Sequence, residues 1–179
     1  MLDNELIEIF RPIIISGLSD YGISNIDVVQ KYQPTTEGIP SNPTVFFFKV
    51  TDHRYGWVGR DSVWNPNTEV MESTETQDYE TTFQVNALVP QSPGVDSGLT
   101  ASDVVNSVAA ILQSESTLAV FKNNDIGILR ITDVRNPYFS DDKDRWEADP
   151  SFDFVVTHKQ IRTVPVPVVD TFKYGIFGV

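Results

Sequence analysis

Between Thr81 and Val89 the chain alternates without a break. Phe83, Val85, Ala87 and Val89 take one set of positions, and Thr82, Gln84 and Asn86 take the other. Successive side chains of a strand point to opposite faces, so this stretch needs a core on one side and polar surroundings on the other. It is the signature of a half-buried antiparallel strand, and the rest of the chain has to supply its partners and its cover.

Partners are easy to find. Ser151 to Arg162 repeats the pattern, with Phe152, Phe154 and Val156 on one face, and Ile126 to Val134 sets Ile128, Arg130 and Thr132 against Leu129, Ile131 and Asp133. Thr44 to Asp52 is aromatic and β-branched, which predicts a strand buried on both faces for part of its length. His53 to Asn65 reads as a second strand, bulged, joined to the first by a tight connection near Asp52. Asn65-Pro66-Asn67 is a turn, Thr68 to Tyr79 a polar, acidic hairpin end, and Ile26 to Tyr32 a short strand ahead of a Pro-, Thr- and Gly-rich loop. The cover comes from helices. Leu6, Ile9, Phe10, Ile13 and Ile14 share one face of an amphipathic helix over Asn4 to Leu18, with Pro12 as a source of a kink. Thr100 is placed as an N-cap with Asp103 reaching back to it, opening a helix that carries Val104, Val108, Ile111 and Leu112 to about Gln113. Ser116 to Lys122 adds a short helix bearing Leu118 and Phe121. The order predicts an α+β domain: an antiparallel or mixed sheet of about five strands with helices on one face. One domain spans 1–163, and 164–179 forms an extended C-terminal arm.

That arm runs through Val164-Pro165-Val166-Pro167 to a finish containing Phe172, Tyr174, Ile176 and Phe177. Its prolines lack backbone donors, which predicts an extended segment unfit for a central strand. Its aromatics need cover, either on the same domain or on a neighbouring subunit.

Several chemistries drop out on composition. The 179 residues include no cysteine, which removes disulfides, thiolate metal sites and cysteine nucleophiles together and suits a reducing cytoplasm. The start lacks the basic region of a secretory signal, and the longest apolar runs, Ile13-Ile14-Ile15 and Val45-Phe46-Phe47-Phe48, are too short to span a bilayer. With 25 Asp and Glu against 13 Lys and Arg, a net charge of -12 argues against holding nucleic acid through its phosphates. It is compatible with a pore that lets DNA slide past. The two histidines, His53 and His158, lie far apart on predicted strands without metal-ligand spacing and read as partly exposed strand residues. Asp141, Asp142 and Asp144 resemble a calcium loop in their alternation, but the central glycine and closing glutamate are missing, and Lys143 and Arg145 intrude. A solvated hairpin tip is the simpler reading, with Trp146 as an aromatic suited to docking. No phosphate loop or nucleophile elbow occurs, and any pairing among Asp27, Asp52 and Asp61 is one of many that a chain this acidic allows. No cofactor, metal or catalytic set is expected.

The order of elements, with Asp133-Val134-Arg135-Asn136-Pro137-Tyr138-Phe139, the acidic turn and Ser151-Phe152-Asp153-Phe154-Val155-Val156-Thr157-His158, resembles the tail terminator (neck) proteins of tailed bacteriophages, especially those with contractile tails. In that family a strand is followed by a charged loop and then a strand of this Ser-Phe-Asp-Phe character. The resemblance implies a non-enzymatic virion protein, assembled in the host cytoplasm. It would form a hexameric ring on the last ring of the tail tube, stop tube and sheath polymerisation, meet the head-side connector, and let DNA pass. Another connector or tail-completion protein of the neck fits the same features. A metal-dependent hydrolase using residues 141–149 is a more distant alternative. The contact residues expected on this reading are Trp57 and Trp64, Trp146, and Phe172, Tyr174 and Phe177 of the arm. The Trp-bearing stretch His53 to Asn65 and the long apolar tail have no counterpart in the resemblance.

Overall fold

The structure, a computed structural model, describes residues 1–30, 41–90, 98–140 and 146–166, with the backbone alone for 138–140 and 146–148. Helix α1 (Asp3–Asp20) buries Leu6, Phe10, Ile14 and Leu18, one residue per turn along a single stripe. It runs through Pro12. Helix α2 (Ala101–Gln113) begins with the reciprocal cap that the sequence predicts. Asp103 N donates to Thr100 Oγ1 at 3.1 Å, and Thr100 N donates to the Asp103 carboxylate at 3.1 Å. Helix α3 (Glu115–Asn123) follows after one residue, Ser114, whose hydroxyl accepts from Thr117 N. Helices α1 and α2 touch closely at Gly17, where a Cβ would sit 2.6 Å from the Ile111 side chain, so only glycine admits this approach.

Among the described residues the strands are, in chain order, β1 (Asp27–Val29), β2 (Thr44–Asn65), β3 (Val70–Leu88), β4 (Gly127–Ile131), β5 (Tyr138–Ser140), β6 (Trp146–Ala148) and β7 (Ser151–Val166). Five form one sheet in the order β1-β2-β3-β7-β4, with β1 parallel to β2 and every other pair antiparallel. The short pair β5–β6 brackets the acidic turn, whose residues 141–145 lie outside the described residues. The architecture is the α+β fold read from the sequence: a five-stranded mixed sheet with three helices.

The register explains the core. Phe83 opposes Phe154, Val85 opposes Phe152, and Phe47 opposes Val85 from the other side, so one face presents a continuous apolar surface to α1, α2 and α3. Phe10 is the keystone. Its ring meets Phe83, Phe121 and Phe154 edge-on at 5.3, 5.4 and 5.4 Å, a preferred arrangement for the aromatic quadrupole.

Two expectations need correction. No connection interrupts the chain near Asp52: β2 is one strand of 22 residues, and the reversal comes at residues 66–69, where Asn67 N donates to the Asn65 side chain. Asp52 looks like a turn residue, but its carboxylate is held by Lys49 at 2.8 Å and Thr81 at 2.7 Å. Bulges between Lys49 and Thr51 and between Tyr55 and Gly59 absorb the irregular spacing without breaking the pairing. Likewise, Thr68 to Tyr79, expected as a polar, acidic hairpin end, does end the β2–β3 hairpin, but residues 70–79 are the first half of β3 and are half-buried between their two neighbours, not fully exposed; none of them belongs to the apolar core. Strand β7 takes in Val164, Pro165 and Val166. Pro165 opposes Glu72 where, among the described residues, β7 has only β3 as neighbour, so its missing donor costs no ladder bond on the far side.

Candidate functional site

Past Asp52, Thr81 and Thr157 the strands β2, β3 and β7 leave the buried core and continue as a three-stranded blade, with the start of α1 beside its root. At about 3.3 Å per residue its eleven or so residues reach roughly 35 Å. Along the blade, β2 is exposed throughout 50–64, and β3 is half-buried by its two neighbours.

The root of the blade is locked by polar contacts. Lys49 Nζ bridges Asp3 of α1 at 2.6 Å and Asp52 of β2 at 2.8 Å. Thr81 Oγ1 donates to Asp52, which leaves its oxygen to accept from His158 Nε2 at 2.9 Å and so places the neutral imidazole proton on Nε2. Tyr79 stacks on His158 with the ring planes 6° apart, and the Arg54 guanidinium lies 5.7 Å from the Tyr79 ring centre. His158 is therefore a buried residue at 7% exposure, not the partly exposed one expected, because Tyr79 and the start of α1 close over it; His53 is exposed, as expected. Burial lowers the His158 pKa, and the neighbouring N-terminal ammonium adds to this. Burial works against ionised Asp52, but the Lys49 and Thr81 hydrogen bonds and the Lys49 charge outweigh it and hold that carboxyl below its ordinary value.

The middle of this chain of groups is closed to solvent. Thr81 is 0% exposed, with its oxygen committed on both sides. The open depression beside it, about 710 Å³, is lined by Asp3, Glu5, Asp52, Arg54, Tyr79 and His158, whose Nδ1 is buried without a hydrogen-bond partner. The two histidines do not meet: His53 opposes Glu80 and His158 opposes the adjacent Tyr79, which sets them on opposite faces. Asp27, Asp52 and Asp61 are also separated, on β1, at the blade root and far along the blade. No group of three or more metal-ligating side chains occurs among the described residues, and Asp141, Asp142 and Asp144 lie outside them. Among the described residues no single helix is long and apolar enough to cross a membrane.

The blade is distinguished by what it displays. At the second bulge Gly56, Trp57 and Val58 stand opposite the single residue Gln77, with Gly56 at φ 71°, and the extra length throws Trp57 outward to 98% exposure. Trp64, opposite Met71 near the tip, is 47% exposed. Trp146 is paired through its backbone with Ser140. Phe172, Tyr174 and Phe177 lie outside the described residues. The sequence marks the aromatics of the blade but not their display, which depends on a ribbon that outruns the buried core.

The fold is similar to a solved structure of the sheath/tube terminator, in its extended state, of an extracellular contractile injection system, PVC. Identity is 11%, coverage is 97% of this chain and 65% of that one, and the TM-score is 0.48. No curated protein matches the sequence. The sequence model of the E217 gateway protein gp29 family matches residues 5–168, from the first turn of α1 to beyond the end of β7. With the match running through every element of the domain, the chain belongs to the E217 gateway protein gp29 family.

Proposed function

We propose that this protein is a tail terminator: a non-enzymatic structural protein that closes the end of a phage tail. The observation that carries the reading is membership of a gateway protein family over residues 5–168. Six copies form a ring on the tail tube and sheath, end their polymerisation, and present the opposite side to the head connector. Heterologous contacts close when the rotation between neighbours closes, so the two ring faces are free to differ. The net charge of -12 per chain supports passive passage of DNA, since carboxylates around a channel repel phosphates and do not retain them. The commitment of Thr81, Asp52 and His158 to one another supports a structural role for the cluster that most resembles a catalytic one. Trp57, Trp64 and Trp146, together with Phe172, Tyr174 and Phe177 of the arm, are the proposed contacts.

The test is genetic and visual. Phage lacking this protein should yield separate heads and tails, with tails of uncontrolled length by negative-stain imaging. Tails of normal length that fail to join heads would move the protein to a connector role, and normal joined particles would end the proposal.

A further inference from the structure

The register of the blade sorts its charges by face. On the helix side the blade's own strands carry Arg54, Arg60 and Arg162 with one carboxylate, Glu75, which Arg60 contacts at 3.3 Å; at the root, Asp52 and Asp3 are paired with Lys49, and Glu5 of α1 lines the depression beside Arg54. The opposite face carries Asp61, Glu72, Asp78 and Glu80, with Lys159 as its one lysine and no arginine. One sheet thickness therefore separates a basic surface from an acidic one. Each also bears exposed apolar groups: Trp64 and Val166 on the basic side, Ile161, Val63 and Tyr55 on the acidic side. The edges are blunted, by two bulges in β2 and by Pro165 in β7, the devices that discourage edge-to-edge pairing.

We infer that the blade is a contact between copies of this chain, with the basic face of one packed against the acidic face of the next. The complementary charge selects the occupant. A partner that satisfies both faces must be basic on one side and acidic on the other, and a second copy is such a partner. The two patches differ, so the contact is heterologous and propagates around a ring, as vanes do around a hub. Duplex DNA would satisfy only the basic face, and the carboxylates directly behind it oppose that use. The inference rests on the ring reading above and specifies its interface.

The full-length chain is tested by light scattering after gel filtration. Arg54→Glu with Arg162→Glu makes both faces acidic; Asp61→Lys with Glu80→Lys makes both basic. The expected result is that the wild type assembles, less so in high salt, that each variant alone runs as a monomer, and that an equimolar mixture assembles again with both chains in one particle. Rescue in the mixture also shows that both variants are folded. If circular dichroism shows a reversal to be unfolded, the neutral pair Arg54→Gln with Arg162→Gln replaces it, with assembly weakened at least tenfold. Variants that assemble like the wild type overturn the inference and leave the ring reading standing. A wild type that stays monomeric at every concentration and salt overturns both. A monomer that binds duplex DNA through Arg54 and Arg162 overturns the inference in favour of nucleic acid.

Discussion

Replacing Phe10 with alanine should remove more stability than any other single truncation on α1. The side chain is fully buried and lies within 5.4 Å, centre to centre, of three other rings, two from the sheet and one from α3. A buried Phe→Ala change costs about 3–5 kcal/mol through lost transfer energy and the cavity left behind. Each edge-on aromatic pair adds roughly 0.5–1.5 kcal/mol beyond its area. The walls of the cavity belong to β3, β7 and α3, pinned by separate backbone ladders, so collapse onto the gap is restricted and the cost falls at the upper end, about 5 kcal/mol. For a chain of this size each kcal/mol lowers Tm by about 2–4 °C, which gives a drop of about 10–20 °C. The assay is urea unfolding followed by far-UV circular dichroism, at a concentration where the chain is monomeric, because association would add its own stabilisation. The midpoint should fall with an unchanged slope. A loss under about 2 kcal/mol would mean that the rings do not share one packed cluster and would refute the reasoning. A double-mutant cycle with Phe154→Ala should return a coupling of about 0.5–1.5 kcal/mol.

Three further outcomes follow from single contacts. Thr100→Ala removes the hydroxyl that accepts from Asp103 N and should cost about 1 kcal/mol in the same assay, with Thr100→Ser retaining most of it. Because the folded-state pKa of His158 lies below its ordinary 6.5, the unfolded chain binds the proton more readily; stability is full above pH 6.5 and is lost as pH falls from there through the folded pKa, a slope that His158→Gln should flatten in Tm measured across pH 5–8. Trp57→Ala, at a site 98% exposed, should leave Tm within about 0.5 kcal/mol equivalent of the wild type yet weaken ring assembly, and unchanged assembly would remove Trp57 from the interface.

Features encoded by local periodicity and local hydrogen bonds are legible before any fold is known. The alternation from Thr81 to Leu88 dictates which side chains of β3 face the core, because the two-residue period of a strand leaves no other choice. The Thr100–Asp103 box dictates where α2 starts, because both partners lie within one turn. Other features depend on contacts between residues far apart in the chain. Asp52 reads as a turn until Thr81, 29 residues on, and Lys49 are seen to hold its carboxylate within a continuous strand. His158 reads as an ordinary strand residue until Tyr79 and α1 cover it. The blade is invisible in the sequence because a polar strand pattern is the same for a frayed hairpin and for a paired ribbon. Only the length of β7, which supplies a third strand to Val166, distinguishes them. The sorting of its charges into a basic and an acidic face has the same origin, since residues far apart in the chain acquire a common face only when pairing sets their register.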